Sequence, residues 1–344
     1  AGAARGRRKR RAIKWEKCAT DLAATVPRER LHPAVLAWAE KSSPRAPWTV
    51  ALSGGADSLA LLLLLWAHWP KRRPRLAALH FNHRLRGRVS AADEKFCARV
   101  CQALGVKFVR GAWRRAHRGA SEAEARAARM AFFEPRARVV WLGHQQDDIA
   151  ESILMRLARG SGTGGLAAPR PVQAMPGGRV HLRLLLTLKK AELIAALRTA
   201  GATWREDASN AGEDFFRNRI RHAVLPAWSR AAERDAFAGA ALARELLEED
   251  DAALEARVDE LNPLGAGKSL SLKKLFGEPR AVVRRALYRW LLAQPRAGRL
   301  VRQGFEALLT AVERGRPTRH SLGREGFAVI HGGVLRFERT ERGR

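Results

Sequence analysis

The stretch "ALSGGADSLALL", residues 51–62, decides the fold of the chain. A short apolar run ends at Ser53, two glycines follow, and a leucine-rich run begins directly after them. This pattern predicts a buried strand that turns through Gly54 and Gly55 into a helix over 56–68. Glycine lets the backbone be approached closely, and the amides at a helix N-terminus can face an anion together. The stretch therefore predicts an anion cradle or, alternatively, a plain tight turn.

An acidic residue stands inside this predicted cradle. Asp57 would repel a bare phosphate, so its presence predicts a Mg²⁺ ion between the carboxylate and the phosphate. The hydroxyl of Ser58 can donate a hydrogen bond to a phosphate oxygen. The alternative is a turn in which Asp57 only stabilises the start of the helix. Taken alone, the stretch leaves both interpretations open.

Strands and helices alternate in the residues around the cradle, which predicts βαβ units and a parallel sheet covered on both faces. The predicted strands are "WTVALS" (48–53), "RLAALHF" (75–81), "VKFVRG" (106–111) and "RVVWLG" (138–143), and the predicted helices span 56–68, 91–104, 121–133 and 147–159.

Two further polar motifs directly follow predicted strands, namely "HFNHRLRG" (80–87) and "GHQQDDIAES" (143–152). Ligands of open parallel sheets bind at the carboxyl ends of the strands, so we expect both motifs to lie beside the cradle. His144 with the adjacent Asp147 and Asp148 has the groups needed for a metal and a general base, although acids also simply favour a helix N-terminus. The side chains of the first motif that could hold a nucleotide or an RNA phosphate are His80, Asn82, His83, Arg84 and Arg86.

The net charge is the strongest compositional signal. The 344 residues include 64 Lys and Arg against 34 Asp and Glu, which gives a net charge of +30 and a pI near 11.5. Such a chain attracts polyanions, which predicts a nucleic acid partner. The alternative is a general preference for arginine at solvated positions. The basic run at 5–11 is predicted to be an arm that either contacts nucleic acid or is simply solvated.

Cysteine content and hydropathy indicate the compartment. Cys18, Cys97 and Cys101 cannot form a disulfide framework, and the last two lie on one face of a predicted helix as small core residues. The longest apolar run, 59–69, is too short to span a bilayer, and no secretory signal pattern is present. We therefore expect a cytoplasmic protein with no membrane partner.

The remaining chain is less regular. The Gly- and Pro-rich residues 160–178 predict a long loop, and Thr187 is expected to cap a helix that ends at Thr199. The acidic stretch 245–261 predicts a solvated helix, and 327–339 predicts a β-hairpin closed by two glycines.

Six motifs in a fixed order carry a family resemblance over roughly residues 48–226. They are "SGGADSLAL", "HFNHRLRG", "SEAEARAARMAFF", "GHQQDDIAES", "RGSGTGGL" and "EDASNAGEDFFRNRIRH". This set resembles the tRNA(Ile)-lysidine synthetases, a family of the PP-loop ATP pyrophosphatase superfamily, in a short form. Gln145 departs from the family pattern, where a second histidine is frequent. The tail from 227 to 344 resembles the family only loosely.

The resemblance implies an α/β fold with two main parts. A parallel five-stranded, Rossmann-like PP-loop domain of the adenine nucleotide alpha hydrolase-like type is followed by a mainly helical second domain. The expected divisions are a basic arm and leading helix (1–46), the PP-loop catalytic domain (47–226) and a tRNA-binding domain that ends in a β-hairpin (227–344).

The resemblance also implies a reaction. ATP first adenylates C2–O of the wobble cytidine of a tRNA(Ile) with a CAU anticodon, releasing pyrophosphate. The amine of free L-lysine then attacks C2 and AMP leaves, giving lysidine. An amine with a pKa near 10.4 is mostly protonated at pH 7, and forming its neutral, nucleophilic form costs roughly 4–5 kcal/mol. A general base is therefore needed.

The residues that match family positions are expected to divide the work as follows. The expected catalytic residues are Asp57, Asp147 and Asp148; the ATP-binding residues are Ser53, Gly54, Gly55, Ala56, Asp57, Ser58, His80, Asn82, Gly143 and His144; the Mg²⁺ ligands are Asp57 and Asp148; and the tRNA or phosphate contacts are Arg84, Arg86, Arg126, Arg129, Arg217, Asn218 and Arg221. Arg205, Glu206 and Asp207 could pair with the α-carboxylate and α-ammonium of lysine, but the sequence does not identify the lysine-binding residues. The sequence does not separate the roles of Asp147 and Asp148.

Two other functions remain open at this point, as does a homodimeric state. One is a different PP-loop tRNA-modifying enzyme such as a 2-thiolase, which would need reactive cysteines. The other is a non-catalytic RNA-binding protein on the same fold, against which the intact cradle argues.

Overall fold

In a computed structural model, the structure describes residues 13–84, 88–117, 119–206, 215–265, 268–294, 300–323 and 326–340. The chain divides into two compact units, Ala1–Glu245 and Leu246–Arg344. The basic run at 5–11, Arg86 and Asp207 lie outside the described residues, so the expectations placed on them stay predictions. The functional divisions at 46 and 226 stay predictions as well.

The first unit alternates helices with strands as predicted. Its helices are α1 (Trp15–Thr25), α2 (Pro33–Lys41), α3 (Ala56–His68), α4 (Arg88–Ala103), α5 (Glu122–Phe133), α6 (Gln146–Leu157), α7 (Thr163–Leu166), α8 (Lys190–Thr199), α9 (Phe216–Arg219) and α10 (Leu225–Ala231), and its strands are β1 (Trp48–Ala51), β2 (Leu76–Asn82), β3 (Lys107–Ala112), β4 (Val139–Trp141), β5 (Val172–Met175) and β6 (Arg179–Leu182).

The strands form one sheet in the order β3-β2-β1-β4-β6-β5. The first five in this order run parallel, and β5 pairs antiparallel with β6 at the edge. The expected α/β fold with five parallel strands is therefore confirmed, with one antiparallel strand added. Parallel order brings the carboxyl ends of β1, β2 and β4 to the same edge of the sheet.

The predicted long loop at 160–178 is wrong. This stretch contains α7 and β5, and it turns into β6 through Gly177 and Gly178, whose φ angles are +75° and +69°. Both strands have only four residues, too few to show a clear alternation of apolar and polar side chains. The glycines that suggested a loop instead close a tight hairpin.

The leucine-rich helix α3 is the centre of the core. Residues 59–65 are all buried, because α3 lies between the sheet and the helices α1 and α8. A helix that is apolar on every side is stable only when it is covered on every side. Cys97 and Cys101 of α4 belong to the same core, as expected.

Thr187 does not cap α8, contrary to the prediction. Its hydroxyl donates to the carbonyl of Arg30 at 2.6 Å, and the helix begins three residues later at Lys190. The backbone amide of Lys189 donates instead to the Glu192 carboxylate at 2.9 Å. The Thr187 hydroxyl therefore makes a hydrogen bond to a residue far away in the sequence and does not cap α8.

The second unit pairs helices with a small sheet. Helix α11 (Ala236–Leu261) contains the division between the units, and it is followed by β7 (Leu270–Ser271), α12 (Arg280–Ala293), α13 (Arg302–Arg314), β8 (Thr318–Ser321), β9 (Gly326–His331) and β10 (Val334–Arg339). The sheet order is β7-β10-β9-β8, and the predicted hairpin through Gly332 and Gly333 is confirmed. None of the helices in the described ranges has both the length and the apolar character needed to cross a membrane.

The acidic stretch of α11 is not simply solvated, as the sequence had suggested. Asp251 is buried and lies 2.5 Å from the Arg285 guanidinium, which also donates to Glu255 at 2.7 Å. Asp259 receives a hydrogen bond of 2.5 Å from Arg289. The acids of α11 thus pair with a row of arginines on α12.

The burial of α3 yields a stability prediction. Leu62→Ala should lower the free energy of unfolding by about 2–5 kcal/mol, because Leu62 is fully buried and the smaller side chain leaves a cavity. Leu157→Ala is the matched control, since Leu157 is 54% exposed and its loss should cost under about 0.5 kcal/mol. Urea denaturation followed by tryptophan fluorescence measures both; equal losses would contradict the packing described.

Candidate active site

The cradle lies between the end of β1 and the start of α3. Gly55 is the N-cap of α3, and Ala56 is its first residue. The Ser58 hydroxyl accepts from the amide of Ser53 at 3.1 Å and lies 2.9 Å from the Ser53 hydroxyl. These contacts close the turn, so the amides at the start of α3 point out of the sheet edge, where an anion can bind.

Gly54 is required by the geometry of this turn. Its φ is +94°, a backbone conformation that L side chains rarely adopt, and a Cβ atom there would lie 3.1 Å from Cys97 Sγ. The Gly54 carbonyl accepts from the amide of Arg205 at 2.9 Å, and Arg205 Nε donates to Asp93 Oδ1 at 2.7 Å. Arg205, one of the residues that could pair with lysine, is thus bound to the backbone of the cradle and to Asp93 of α4.

Gly143 brings the end of β4 against the same turn. A Cβ atom on Gly143 would lie 3.0 Å from the carbonyl carbon and oxygen of Asp57 and from the amide nitrogen of Ser58. Backbone atoms at that distance cannot yield easily. Any larger residue would push the start of α3 away from the loop that carries His144 and Asp147.

Asp57 carries the clearest unsatisfied group of the site. Its Oδ1 is buried and has no hydrogen-bond partner, and its Oδ2 lies 3.8 Å from Lys190 Nζ. Burial, opposed by Lys190 and reinforced by the charge of Asp148, raises the pKa of Asp57 to about 6. A buried carboxylate oxygen of this kind costs free energy unless a cation or a donor reaches it.

The two acids of "QQDD" differ in their surroundings. Asp148 is buried, accepts from the amide of Gln145 at 2.9 Å through Oδ2, and pairs with Arg217 through Oδ1. Asp147 Oδ2 accepts from the amide of Lys190 at 2.9 Å, which leaves Oδ1 as the oxygen that can take a proton. Burial raises the pKa of Asp147 above its usual range.

Arg217 and Arg221, expected to contact phosphates, lie against acids. Glu151 is 1% exposed and receives hydrogen bonds of 2.6 Å from the Nε atoms of both arginines. Asn218, which lies between the two arginines in the sequence, is also buried. The structure thus joins α6 to the 216–224 segment by buried ion pairs, and the role of these residues in phosphate binding stays a prediction.

His144 and His80 are both held as neutral imidazoles. His144 Nδ1 accepts from Arg183 Nε at 3.1 Å, and burial together with this guanidinium holds the pKa of His144 well below its usual range. Because arginine only donates, the proton of His144 is on Nε2, which is then a donor. His80 Nδ1 donates to the Leu52 carbonyl at 2.9 Å, and burial lowers its pKa, so its Nε2 is an acceptor.

A cavity of about 1470 Å³ opens over this sheet edge. The predicted site residues that line it are Ser53, Gly55, Ala56, Asp57, Ser58, His80, Asn82, Arg84 and Arg129. Glu206, one of the residues that could pair with lysine, lines it too. Arg126 is exposed on α5, one turn before the half-buried Arg129.

The residues of the site fit a magnesium ion that is also held by phosphates. Across the described ranges, no group of three or more His, Cys, Asp or Glu side chains could hold a metal by itself. Mg²⁺ usually takes only one or two carboxylates and completes its shell with substrate phosphates and water. The unpartnered Oδ1 of Asp57 meets that requirement, whereas both oxygens of Asp148 are already engaged.

Sequence reasoning missed Lys190 and Asp93. Lys190 contacts two of the acids, through its amide to Asp147 and its ammonium to Asp57, and it lines the cavity. No motif contains it, because its position depends on how α8 packs beside α3. Asp93 is buried on α4, lines the cavity and accepts a hydrogen bond from Arg205 at 2.7 Å.

Fold and cradle together define an α/β phosphate-binding domain of the Rossmann-like class. Residues 28–228 match the family model of the PP-loop domain. The chain belongs to this PP-loop family, an assignment that supports its use of ATP.

Named relatives are similar over much of this region. The chain is 40% identical over 275 residues to a tRNA(Ile)-lysidine synthase of Geobacter sulfurreducens, covering 75% of this chain and 56% of that protein. It is 42% identical over 184 residues to a tRNA(Ile)-lysidine synthase of Solibacter usitatus, covering 52% of this chain and 40% of that protein. The chain thus spans about half the length of the curated relatives it matches.

Among solved structures, a U34-tRNA thiolase from Methanococcus maripaludis aligns with a TM-score of 0.48 at 16% identity, covering 68% of this chain and 78% of that one. This likeness is too distant to bear on activity.

The close approach at Gly143 yields a binding prediction. Gly143→Ala should weaken Mg-ATP binding at least about tenfold, because the added methyl displaces the amides at the start of α3. Gly239→Ala is the control, since Gly239 is exposed on a helix with nothing within 4 Å of its Cβ position. Isothermal titration with Mg-ATP measures both variants, and unchanged binding by Gly143→Ala would refute the close contact.

Proposed function

We propose that this chain ligates free L-lysine to C2 of the wobble cytidine of a tRNA(Ile) with a CAU anticodon, using ATP and giving lysidine, AMP and pyrophosphate. One observation carries the proposal: the chain is 40% identical over 275 residues, 75% of its length, to a protein named tRNA(Ile)-lysidine synthase. The net charge of +30 supports an RNA substrate.

In the first step, the cytosine C2 oxygen attacks the α-phosphorus of ATP, and the bond to the β-phosphate oxygen breaks. The amides at the start of α3 bind the departing pyrophosphate, and the Nε2–H of His144 can donate to a phosphoryl oxygen. Mg²⁺, when held by Asp57 and the phosphates, would neutralise their charge. Lys190 supplies a fixed cation beside Asp57.

In the second step, the lysine amine attacks C2 and AMP departs. We assign the general base to Asp147, because its Oδ1 is not used by the Lys190 amide and its pKa is raised by burial. A carboxylate with a raised pKa is a better proton acceptor. Asp148 is instead a positioning residue that holds Arg217 and caps α6.

The separate roles of Asp57 in adenylation and Asp147 in lysine transfer can be tested with labelled lysine, ATP and the CAU-bearing tRNA. Asp57→Asn should reduce both pyrophosphate release and lysine transfer by at least about a hundredfold, because adenylation itself is impaired. Asp147→Asn should retain most pyrophosphate release but lose lysine transfer by about 10²–10⁴-fold, the usual contribution of a general base. If the unmodified chain transfers no label to the wobble base, the proposed function is wrong.

The buried cysteines weigh against a 2-thiolase. Burial raises the pKa of Cys101 to about 12 and raises that of Cys97 still more strongly, so neither is a thiolate at neutral pH. The double variant Cys97→Ala/Cys101→Ala should keep lysine transfer within about threefold of the original chain, allowing for a small packing loss. Abolished tRNA-dependent pyrophosphate release, with the variant still folded by circular dichroism, would favour the thiolase.

A further inference from the structure

The cavity has a second wall, made of aromatic rings and remote from the cradle in sequence. Phe81 and His83 meet edge to face, with centroids 4.9 Å apart at 87°. Trp113 follows at 6.3 Å from His83, and His117 lies 6.2 Å from Trp113. Phe81, His83 and His117 line the cavity, and Trp113 joins the two histidines. We call these four residues the ring wall.

The alternation of strand β2 separates the ring wall from the cradle side. The side chains of His80 and Asn82 lie on the face of the sheet that carries α4: His80 donates to the Leu52 carbonyl at 2.9 Å, and Asn82 donates to Glu94 of α4 at 3.2 Å. Phe81 turns the other way and packs on Phe132 of α5 at 5.4 Å. Successive side chains of a strand point to opposite faces, so one strand end serves two different sides of the cavity.

The size of the cavity leaves room for a second ligand. Sites for one small molecule usually measure about 300–1,000 Å³, and this cavity reaches about 1470 Å³. The rings are also accessible: Phe81, His83 and Trp113 are half-buried and His117 is exposed. Rings that lined a dry core would be covered.

Charge distinguishes the two sides of the cavity. Arg84 follows the ring wall directly in sequence, and Arg129 lies one turn before Phe132 on α5; both line the cavity. The side nearer Gly54 carries the acids Asp93 and Glu206 and one arginine, Arg205, whose charge is paired with Asp93 at 2.7 Å. The phosphodiester chain of an RNA is therefore attracted more strongly beside the ring wall, which has two arginines and no acid among these lining residues, than beside Asp93 and Glu206.

We propose that the ring wall stacks an unpaired pyrimidine base of single-stranded RNA, the wobble cytosine, while Arg84 and Arg129 bind its flanking phosphates. The proposal rests on the proposed function and names the subsite that would hold the reacting base. Unstacked loop bases are commonly bound on aromatic side chains, and stacking tolerates either face of a ring. His117, at the exposed end of the wall, is the ring that an entering base meets first.

A short RNA hairpin with a CAU loop and pyrrolocytosine at the first anticodon position tests the ring wall without catalysis. Stacking quenches this fluorescent base, so we expect quenching on binding to the full chain. His117→Phe keeps a ring and should keep the quenching. His117→Asn keeps a hydrogen-bonding group without the ring; it should lose the quenching and bind the hairpin about 5- to 100-fold more weakly. His331→Ala, an exposed histidine in the second unit, is the control.

The outcomes separate the two proposals. Quenching that His117→Asn leaves unchanged would overturn the ring wall even if lysine transfer occurs. Weaker Mg-ATP binding by His117→Asn would also overturn it, because the wall would then serve adenine. Ring-dependent quenching by a chain that transfers no lysine would support the ring wall and refute the proposed function alone.

Discussion

The backbone contact between Gly143 and the start of α3 is the constraint on which the site depends. A Cβ atom on Gly143 would lie 3.0 Å from the Asp57 carbonyl, so any side chain there requires the backbone at the start of α3 to shift. The contact joins the ends of β1 and β4, which are neighbours in the sheet. It therefore places the amides proposed to bind phosphate beside the loop that carries His144 and Asp147. Packing of this kind fixes reacting groups before any substrate arrives.

The candidate site contains buried acidic residues, although the chain as a whole is strongly basic. The protein has a net charge of +30, yet Asp148 and Glu151 are buried together in this region. Arg217 and Arg221 compensate them at hydrogen-bond distance. Removing one partner of a buried pair leaves an uncompensated charge, so this cluster holds α6 and the 216–224 segment in a fixed relation. The Oδ1 of Asp57 is different, because it is buried without a hydrogen-bond partner in the described part of the chain, and the Lys190 ammonium approaches only Oδ2, at 3.8 Å.

Much of the fold could be predicted from local pattern. The helix over 56–68 occurs at its predicted bounds, and the hairpin at Gly332 is confirmed, because a Gly-Gly turn and a leucine-rich run are strong local signals. Strands β5 and β6 could not be predicted in the same way, since each has four residues and neighbouring prolines or glycines. Their existence depends on pairing with β4 across the sheet.

The site was predictable where motifs end strands, and unpredictable where packing decides. Asp57 and His80 follow from strand-to-helix and strand-end patterns. Lys190 does not, because its approach to Asp57 depends on α8 packing beside α3. The pairing of Asp148 with Arg217 joins residues far apart in the chain, and it distinguishes Asp148 from Asp147 in a way that their adjacency in sequence conceals.

The most direct measurement is product analysis of ATP labelled at its α phosphorus, with the full chain, Mg²⁺, lysine and the CAU-bearing tRNA. We expect labelled AMP to form in the same amount as pyrophosphate, and only when the tRNA is present, because the proposed reaction adenylates the tRNA base and releases pyrophosphate at the cradle. Labelled ADP, or AMP formed equally well without the tRNA, would contradict this role of the cradle.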